Sequence, residues 1–446
     1  MTLQLTVPPA VDSPRLSGLP VAIIGAGPVG LAAAAALLER GQRVVVFEAG
    51  PGAGHAMRGW AHTRFFSPWE YVLDAAAVRL LDRHGWEPPQ AGKNPSGAEF
   101  LRQYLLPLAQ TPELAAVIGY NSPVLAVSKE GMDRTRSVGR SLAPYVLQVS
   151  APDGVRSVRA RAVIDASGTY GQPNSLLSSG LPVLDELAAE HILPALPDVL
   201  GQDRAAFVGK HIVVVGAGHS AANTLLKLAN LVRANDGTRV TWVVRSRRPS
   251  RVYGSAADEL AARGKLGTEL RALVRGGVIT LVDSLEIDEA RWVGGTREGQ
   301  GRSELPGQLE LQGRRRGEPL TLTADLAIAA TGFRPDLGLL SELRLAMDQV
   351  VEAPRALAGL IDPHLHSCGT VEPHGVAELA HPDANLFIAG MKSYGRAPTF
   401  LLLTGYEQVR SIADELAGEH AAARAVHLVL PATGVCSTES DGGCCA

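Results

Sequence analysis

Residues 21–48 read VAIIGAGPVGLAAAAALLERGQRVVVFE, and the fold follows from how that stretch is parsed. A short apolar run, VAII, is the pattern of a strand buried on both faces of a parallel sheet. GAGPVG then places glycines at positions 25, 27 and 30. The first permits a tight turn, the second lets the backbone approach a pyrophosphate, and the third allows a helix to pack closely on the strand. An Ala/Leu-rich helix follows, and then a second apolar strand that closes on Glu48, 23 residues after Gly25. There a carboxylate can accept hydrogen bonds from a ribose diol. The glycine pattern alone would suit a turn in an unrelated α/β fold. With strand, helix, strand and terminal acid in order, it predicts a dinucleotide-binding unit.

A second copy of the arrangement lies at residues 211–248, HIVVVGAGHSAANTLLKLANLVRANDGTRVTWVVRSRR. Gly216 and Gly218 take the first two glycine roles, Ala221 replaces the third, and His219 and Ser220 open the helix at its phosphate-facing end. The acidic position is occupied by Arg245, with Arg247 and Arg248 close behind. A carboxylate there would repel a 2′-phosphate, whereas arginines attract it and can bind it bidentately. The alternative is a solvated surface patch. Opposite charge at the two ribose positions implies two different dinucleotides: FAD at the first site, NADPH at the second.

Three further segments read as strands ending in small, glycine-bearing turns: ARAVIDASGTYGQP (160–173), ADLAIAATGFRPD (324–336) and ANLFIAGMKSYGRA (384–397). Ligands in open parallel sheets sit beyond the carboxyl ends of the strands. Gly168, Thr331 and Gly332 are therefore expected near a cofactor where the chain crosses between domains. Gly390, Met391 and Lys392 are candidates for the ring end of the flavin. Each is also compatible with an ordinary strand-to-helix turn. A long helix is expected from about 399 to 418, and the Gly/Arg/Glu-rich segment 294–319 reads as an exposed hairpin and loop.

The architecture expected is α/β, with two Rossmann-like dinucleotide-binding domains, the NADPH domain inserted into the FAD domain. Residues 1–18 are a flexible N-terminus, 19–175 and 325–430 the FAD-binding domain, and 176–324 the NADPH-binding domain. Residues 431–446 are a disordered, cysteine-bearing tail. A chain of 446 residues with 46% hydrophobic and 20% charged residues suits such a protein. Its net charge of −3 argues against a nucleic-acid binder. Glycines interrupt the most apolar stretch, which argues against a membrane span. Residues 1–18 lack the pattern of a signal peptide. The cysteines form no disulfide framework, which fits a reducing cytoplasm.

The matching pieces VAIIGAGPVG with Glu48, FVGKHIVVVGAGHSAAN with Arg245, and AATGFRPD resemble the two-dinucleotide-binding-domain flavoproteins of the flavin-containing monooxygenase type. Through GMKSYGRAPTFLL and the cysteine tail, the chain is also similar to monooxygenase-like flavoproteins encoded beside bacterial arsenic-resistance genes. It departs from the type in lacking a full F-x-G-x-x-x-H motif: His191 stands well upstream of the second glycine cluster with no F-x-G before it. The closing Trp of the Baeyer–Villiger form is absent too. The resemblance implies that NADPH reduces the flavin and that O2 then forms a flavin C4a-hydroperoxide. A soft nucleophile (sulfur, nitrogen or trivalent arsenic) would attack the distal oxygen. It also implies that MRGWAHTRFFSPWEYVL (57–73) runs over the flavin, so that Trp60 and Ser67 would contact cofactor while Arg64 and Trp69, with Lys392, would serve catalysis. The tryptophans could equally be core, and Arg64 could pair with a carboxylate.

Cys436, Cys444 and Cys445 offer three thiols on one tether, the donor set preferred by As(III). An alternative makes those thiols redox-active in an NADPH-dependent reductase of thiols or metal ions, although no C-x-x-C or C-x4-C lies near either glycine cluster. His364, His366 and Cys368 have a tempting spacing for a metal but no second ligand cluster. The expected partners are a small-molecule substrate and O2, with a homodimer as the oligomeric expectation.

Overall fold

The computed structural model describes residues 13–249, 253, 261–294, 307–362, 373–397 and 400–428. The described residues divide into two compact units: those of 13–172 with 334–428, and those of 173–333.

The first unit is built on a parallel five-stranded sheet. Its strands are β1 (Val21–Ile24), β2 (Val44–Phe47), β3 (Ile118–Gly119), β7 (Ala162–Asp165) and β16 (Leu386–Ile388). They lie in the order β16-β7-β1-β2-β3. β1, β7 and β16 are buried at every position, so a continuous apolar run serves them where an alternating one would not. Helix α1 (Pro28–Glu39) begins with proline, whose fixed φ and missing N–H suit a first helical turn. Every residue from Val29 to Leu37 is buried. A helix apolar on all sides must be covered on all sides. The second cover is α5 (Leu402–Leu416), where Gly405 stands so close to Val29 that a Cβ would lie 2.8 Å from its Cγ2. Helix α2 (Ala75–Asp82) is capped by Asp74, which accepts from Ala77 N at 2.8 Å. An antiparallel sheet of β4 (Val124–Lys129), β5 (Tyr145–Ala151) and β6 (Gly154–Ala160) completes the unit.

The second unit carries its own parallel sheet. Its strands are β8 (Ile192–Pro194), β9 (His211–Val215), β10 (Arg239–Val243), β11 (Thr280–Val282) and β15 (Leu326–Ala329), in the order β11-β10-β9-β15-β8. Helices α3 (His219–Ala234) and α4 (Ala261–Arg275) belong to it. So does an antiparallel sheet of β12 (Leu285–Val293), β13 (Gln308–Arg315) and β14 (Glu318–Ala324).

Several expected boundaries move. The change of unit expected at 325 falls at 334, because β15 pairs in parallel with β9, Ala327 opposite Val213, and so belongs to the second sheet. Residues 173–175 likewise lie in the second unit. Within the expected flexible N-terminus, Ser13–Gly18 is a turn that buries Leu16, with Leu16 N donating to Ser13 O. In the Arg run at 314–316, Arg315 and Arg316 both donate to Asp283.

His381 is buried and receives the Ala346 N–H on Nδ1 at 3.3 Å, while its Nε2 has no hydrogen-bond partner among the described residues. Burial holds its pKa down at about 4, against a weaker opposing pull from Asp383. The unfolded chain takes up a proton near pH 6.5 that the folded imidazole refuses until about pH 4. Stability present above pH 6.5 is therefore lost as pH falls towards 4. His381→Asn offers an amide oxygen to Ala346 N–H and does not titrate. It is expected to retain about 2 kcal/mol that the parent loses between pH 7 and 5, read by urea unfolding at both pH values.

Candidate functional site

In the first unit the Gly25–Gly30 turn leaves β1 at its carboxyl end. Gly25 has φ +99°, and a Cβ there would stand 2.8 Å from Ala166 O and 2.9 Å from Ser167 Cα. A Cβ on Gly30 would collide with Gly25 O. At Gly27, by contrast, nothing lies within 4 Å of the Cβ position. Gly27 is the N-cap of α1 and supplies no capping side chain, so the first-turn N–H groups are left for an anion. Glu48 braces this turn: Oε2 accepts from Ala26 N and Oε1 from Gly50 N, each at 2.8 Å. A carboxylate has about four lone-pair sites, so about two remain for a ribose diol. A close-packed turn, open space at the second glycine, an uncapped helix and a braced acid together fit the adenosine diphosphate half of FAD.

Two more turns meet the same sheet edge. Ala166–Gly168 follows β7, and Gly168 has φ +74° with open space about its Cβ position. The 3-10 turn Gly390–Tyr394 follows β16, and Gly390 has φ +70° with its Cβ position 3.1 Å from Val29 Cγ2. Met391 is partly exposed on that turn, but Lys392 points inward and is wholly buried. Its Nζ donates to Asp165 Oδ2 at 2.6 Å and to Ser167 Oγ at 3.0 Å. An ammonium so enclosed has no route to substrate, which corrects the expectation that Lys392 acts in catalysis.

The segment over 57–73 also differs from its expected role. Trp69 is 4% exposed and stacks on Phe100 with ring centroids 5.8 Å apart, which makes it core and removes it from the catalytic set. Trp60 is partly buried against Phe65. Arg64 is exposed, donating to Asn94 O and Glu99 Oε2. Ser67 is partly exposed in the loop before the 3-10 turn Trp69–Tyr71.

In the second unit Gly216 has φ +135°, and a Cβ there would collide with Ala330 O. Trp242 on β10, fully buried, donates its indole N–H to Gly216 O at 2.8 Å and so fastens the turn, a contact sequence reading missed. α3 starts at His219–Ser220 with Gly218 as an N-cap that offers no side chain, and Ala221 is buried in its first turn. Arg245, Arg247 and Arg248 follow β10, all exposed and with no ion-pair partner among the described residues. This set fits a phosphorylated dinucleotide. Thr331 and Gly332 instead clasp Asn174: Thr331 Oγ1 donates to Asn174 O, Asn174 Nδ2 to Thr331 O, and Asn174 N to Gly332 O.

Cys436, Cys444, Cys445, His364, His366 and Cys368 lie outside the described residues. Among the described residues no group of three or more His, Cys, Asp or Glu is placed to hold a metal. No described helix is long and apolar enough to cross a membrane.

The profile of the family described as pyridine nucleotide-disulphide oxidoreductase matches residues 22–291, more than half of the chain. No curated protein sequence matches. Among solved structures, bacillithiol disulfide reductase from Bacillus cereus is similar at 21% identity and TM-score 0.64, over 90% of this chain and 99% of that one. DfoA, a cadaverine monooxygenase of Erwinia amylovora solved with FAD bound, is similar at 14% identity and TM-score 0.63, over 95% and 99%. The flavin-containing monooxygenase of Stenotrophomonas maltophilia gives 22% identity and TM-score 0.55, over 92% and 99%. At these identities the likeness concerns the fold, which is that of two-domain flavoproteins.

Proposed function

Because the chain belongs to the pyridine nucleotide-disulphide oxidoreductase family, we propose that it is an FAD- and NADPH-dependent oxidoreductase that oxygenates a soft nucleophile. One observation carries the choice of oxygenation over disulfide exchange. The family's name implies a dithiol partner, yet the first cysteine of this chain is Cys368. No thiol is available anywhere in the matched segment 22–291, where both glycine turns lie.

Bound FAD supplies two-electron redox chemistry, accepting reducing equivalents from NADPH and delivering them to O2. The protein supplies binding and orientation. The uncapped end of α1 and the free lone pairs of Glu48 hold the adenosine diphosphate portion of FAD. The uncapped end of α3 and the arginines after β10 hold NADPH. Trivalent arsenic is the first candidate substrate, supported by the chemistry of the Cys436, Cys444 and Cys445 donor set.

The test is NADPH consumption with and without O2, in the presence of arsenite, small thiols, amines or disulfides. Oxygen-dependent turnover with one oxygenated product per NADPH is expected. Oxygen-independent turnover with disulfides would overturn the reading in favour of a reductase. Equal arsenite kinetics after deletion of residues 436–446 would remove arsenic delivery by the tail while leaving oxygenation standing.

A second expected outcome concerns the nicotinamide carrier. Replacing Arg245 and Arg247 together by serine removes charge-assisted hydrogen bonds to a 2′-phosphate, worth about 2 kcal/mol, so KM for NADPH should rise roughly thirtyfold. KM for NADH should stay within about twofold. Equal changes for both nucleotides would show that these arginines do not read the phosphate.

A further inference from the structure

Asp165 and Lys392 form an ion pair with both side chains at 0% exposure. Burying two charges costs several kcal/mol each, and well-packed apolar residues would often be at least as stable. Stability alone therefore does not account for the pair. Its position is more informative. Asp165 ends β7 and lies opposite Ile388, the last residue of the neighbouring β16. The pair thus sits at the carboxyl edge of the sheet, where open α/β folds bind their ligands.

It also joins two turns. Asp165 Oδ1 accepts from Ser167 N at 3.1 Å and from Ser167 Oγ at 2.7 Å, which folds the Ala166–Gly168 turn back onto the carboxylate. Lys392 belongs to the other turn and reaches both Asp165 and Ser167. The first turn is wedged against Gly25 through Ala166 O, and the second faces Val29 of α1 through Gly390. All three glycine-bearing turns of the FAD unit thus share one foundation.

The second turn is held from its far side as well. Gly390 N donates to Gln408 Oε1 at 2.7 Å, and Ser393 Oγ donates to Gly390 O at 2.7 Å. With Oε1 taken by a backbone donor, Gln408 Nε2 must be the donor to Ser393 Oγ and to His374 Nε2. The imidazole of His374 is therefore an acceptor at Nε2. Every member is buried, and such satisfied networks specify one arrangement.

We propose that Asp165 and Lys392 are a positioning pair for the cofactor: their buried contact ties the Ala166–Gly168 turn to the Gly390–Tyr394 turn and presents both to the flavin portion of FAD. This rests on the flavoprotein reading. It assigns the two residues to holding the backbone that receives the cofactor, with no contact to substrate.

The test compares Lys392→Met with Asp165→Asn/Lys392→Met. The single variant leaves an unpaired buried carboxylate and should lose both apoprotein melting temperature and FAD affinity. The double variant carries no unpaired charge, and the amide oxygen that replaces the carboxylate can still accept from Ser167, but nothing ties the turns. Its apoprotein should melt near the parent temperature, yet bind FAD at least about tenfold more weakly, with an altered visible flavin spectrum. NADP+ affinity should be unchanged in both. A double variant with parental FAD affinity and spectrum would overturn the proposal and leave the pair a matter of charge balance. If the single variant fails to fold, the double variant decides alone. A parent protein that stays colourless with excess FAD would instead sink the flavoprotein reading, and the pair's role with it.

Discussion

Gly30→Ala protein is expected to purify without FAD and to be less stable than the parent by about 3 kcal/mol, the upper range for overpacking. The added methyl group would collide with Gly25 O, a backbone atom that cannot retreat. Gly25 is itself pressed on the Ala166–Ser167 turn and held at φ +99°. Relief requires lifting α1 from β1, and α1 is enclosed on all sides. Absorbance at the flavin band relative to protein, before and after incubation with FAD, reads the first effect, and chemical unfolding reads the second. Gly27→Ala is the informative companion. Nothing lies within 4 Å of its Cβ position, and its φ of −79° suits any residue. The apoprotein should keep its stability to within about 0.5 kcal/mol, as for other harmless substitutions. FAD affinity should nonetheless fall, because the methyl group fills the space a pyrophosphate needs. A Gly27→Ala protein that holds FAD as tightly as the parent would show that the phosphates do not approach there.

The second large effect belongs to Asp383. This buried carboxylate accepts from Arg140 Nε at 2.6 Å, Arg140 Nη2 at 2.8 Å and Arg344 N at 2.9 Å. Lys129 is close enough for its charge to bear on the same carboxylate, and both Lys129 and Arg140 are buried. Burial lowers the Lys129 pKa to about 7, Asp383 resists that fall, and Arg140 adds to it. Asp383→Ala leaves two buried cations without their anion, and such losses run to about 3–5 kcal/mol. The folded ammonium already gives up its proton more readily than the unfolded one. The Lys129 share of the deficit is therefore present below about pH 7 and lost as pH rises through about 7, where the parent's own folded ammonium gives up its proton. Urea unfolding should show Asp383→Ala recovering part of its loss when Lys129→Met is added. Strict additivity of the two substitutions would mean that the groups are not coupled.

Sequence reading reached the two nucleotide-binding units because each of their residues answers a local demand. A glycine where φ must be positive, an acid or arginine at the end of the second strand and an apolar run for a buried strand are visible without knowing the partner. The Asp165–Lys392 contact is not of that kind, since 227 positions separate its members. A signal existed nonetheless: an aspartate ending the apolar run AVID and a lysine within FIAGMKSY are ionisable residues in segments patterned for burial. Trp69 was ambiguous because an aromatic side chain fills a core and a pocket equally well. The run ADLAIAA suits either sheet by its pattern, and only its pairing with β9 decides between them.

The junctions of the second unit have one more implication. Pro173 and Phe333, its first and last residues in the main body of the chain, form a bridge with each other, and Arg334 N donates to Gln172 O at 2.9 Å across the cut on the other side. The whole segment between them is thus a cassette whose two leads emerge side by side. Splicing Gln172 to Arg334 needs only a short connector, and a cassette with a different nucleotide preference could be grafted at the same point.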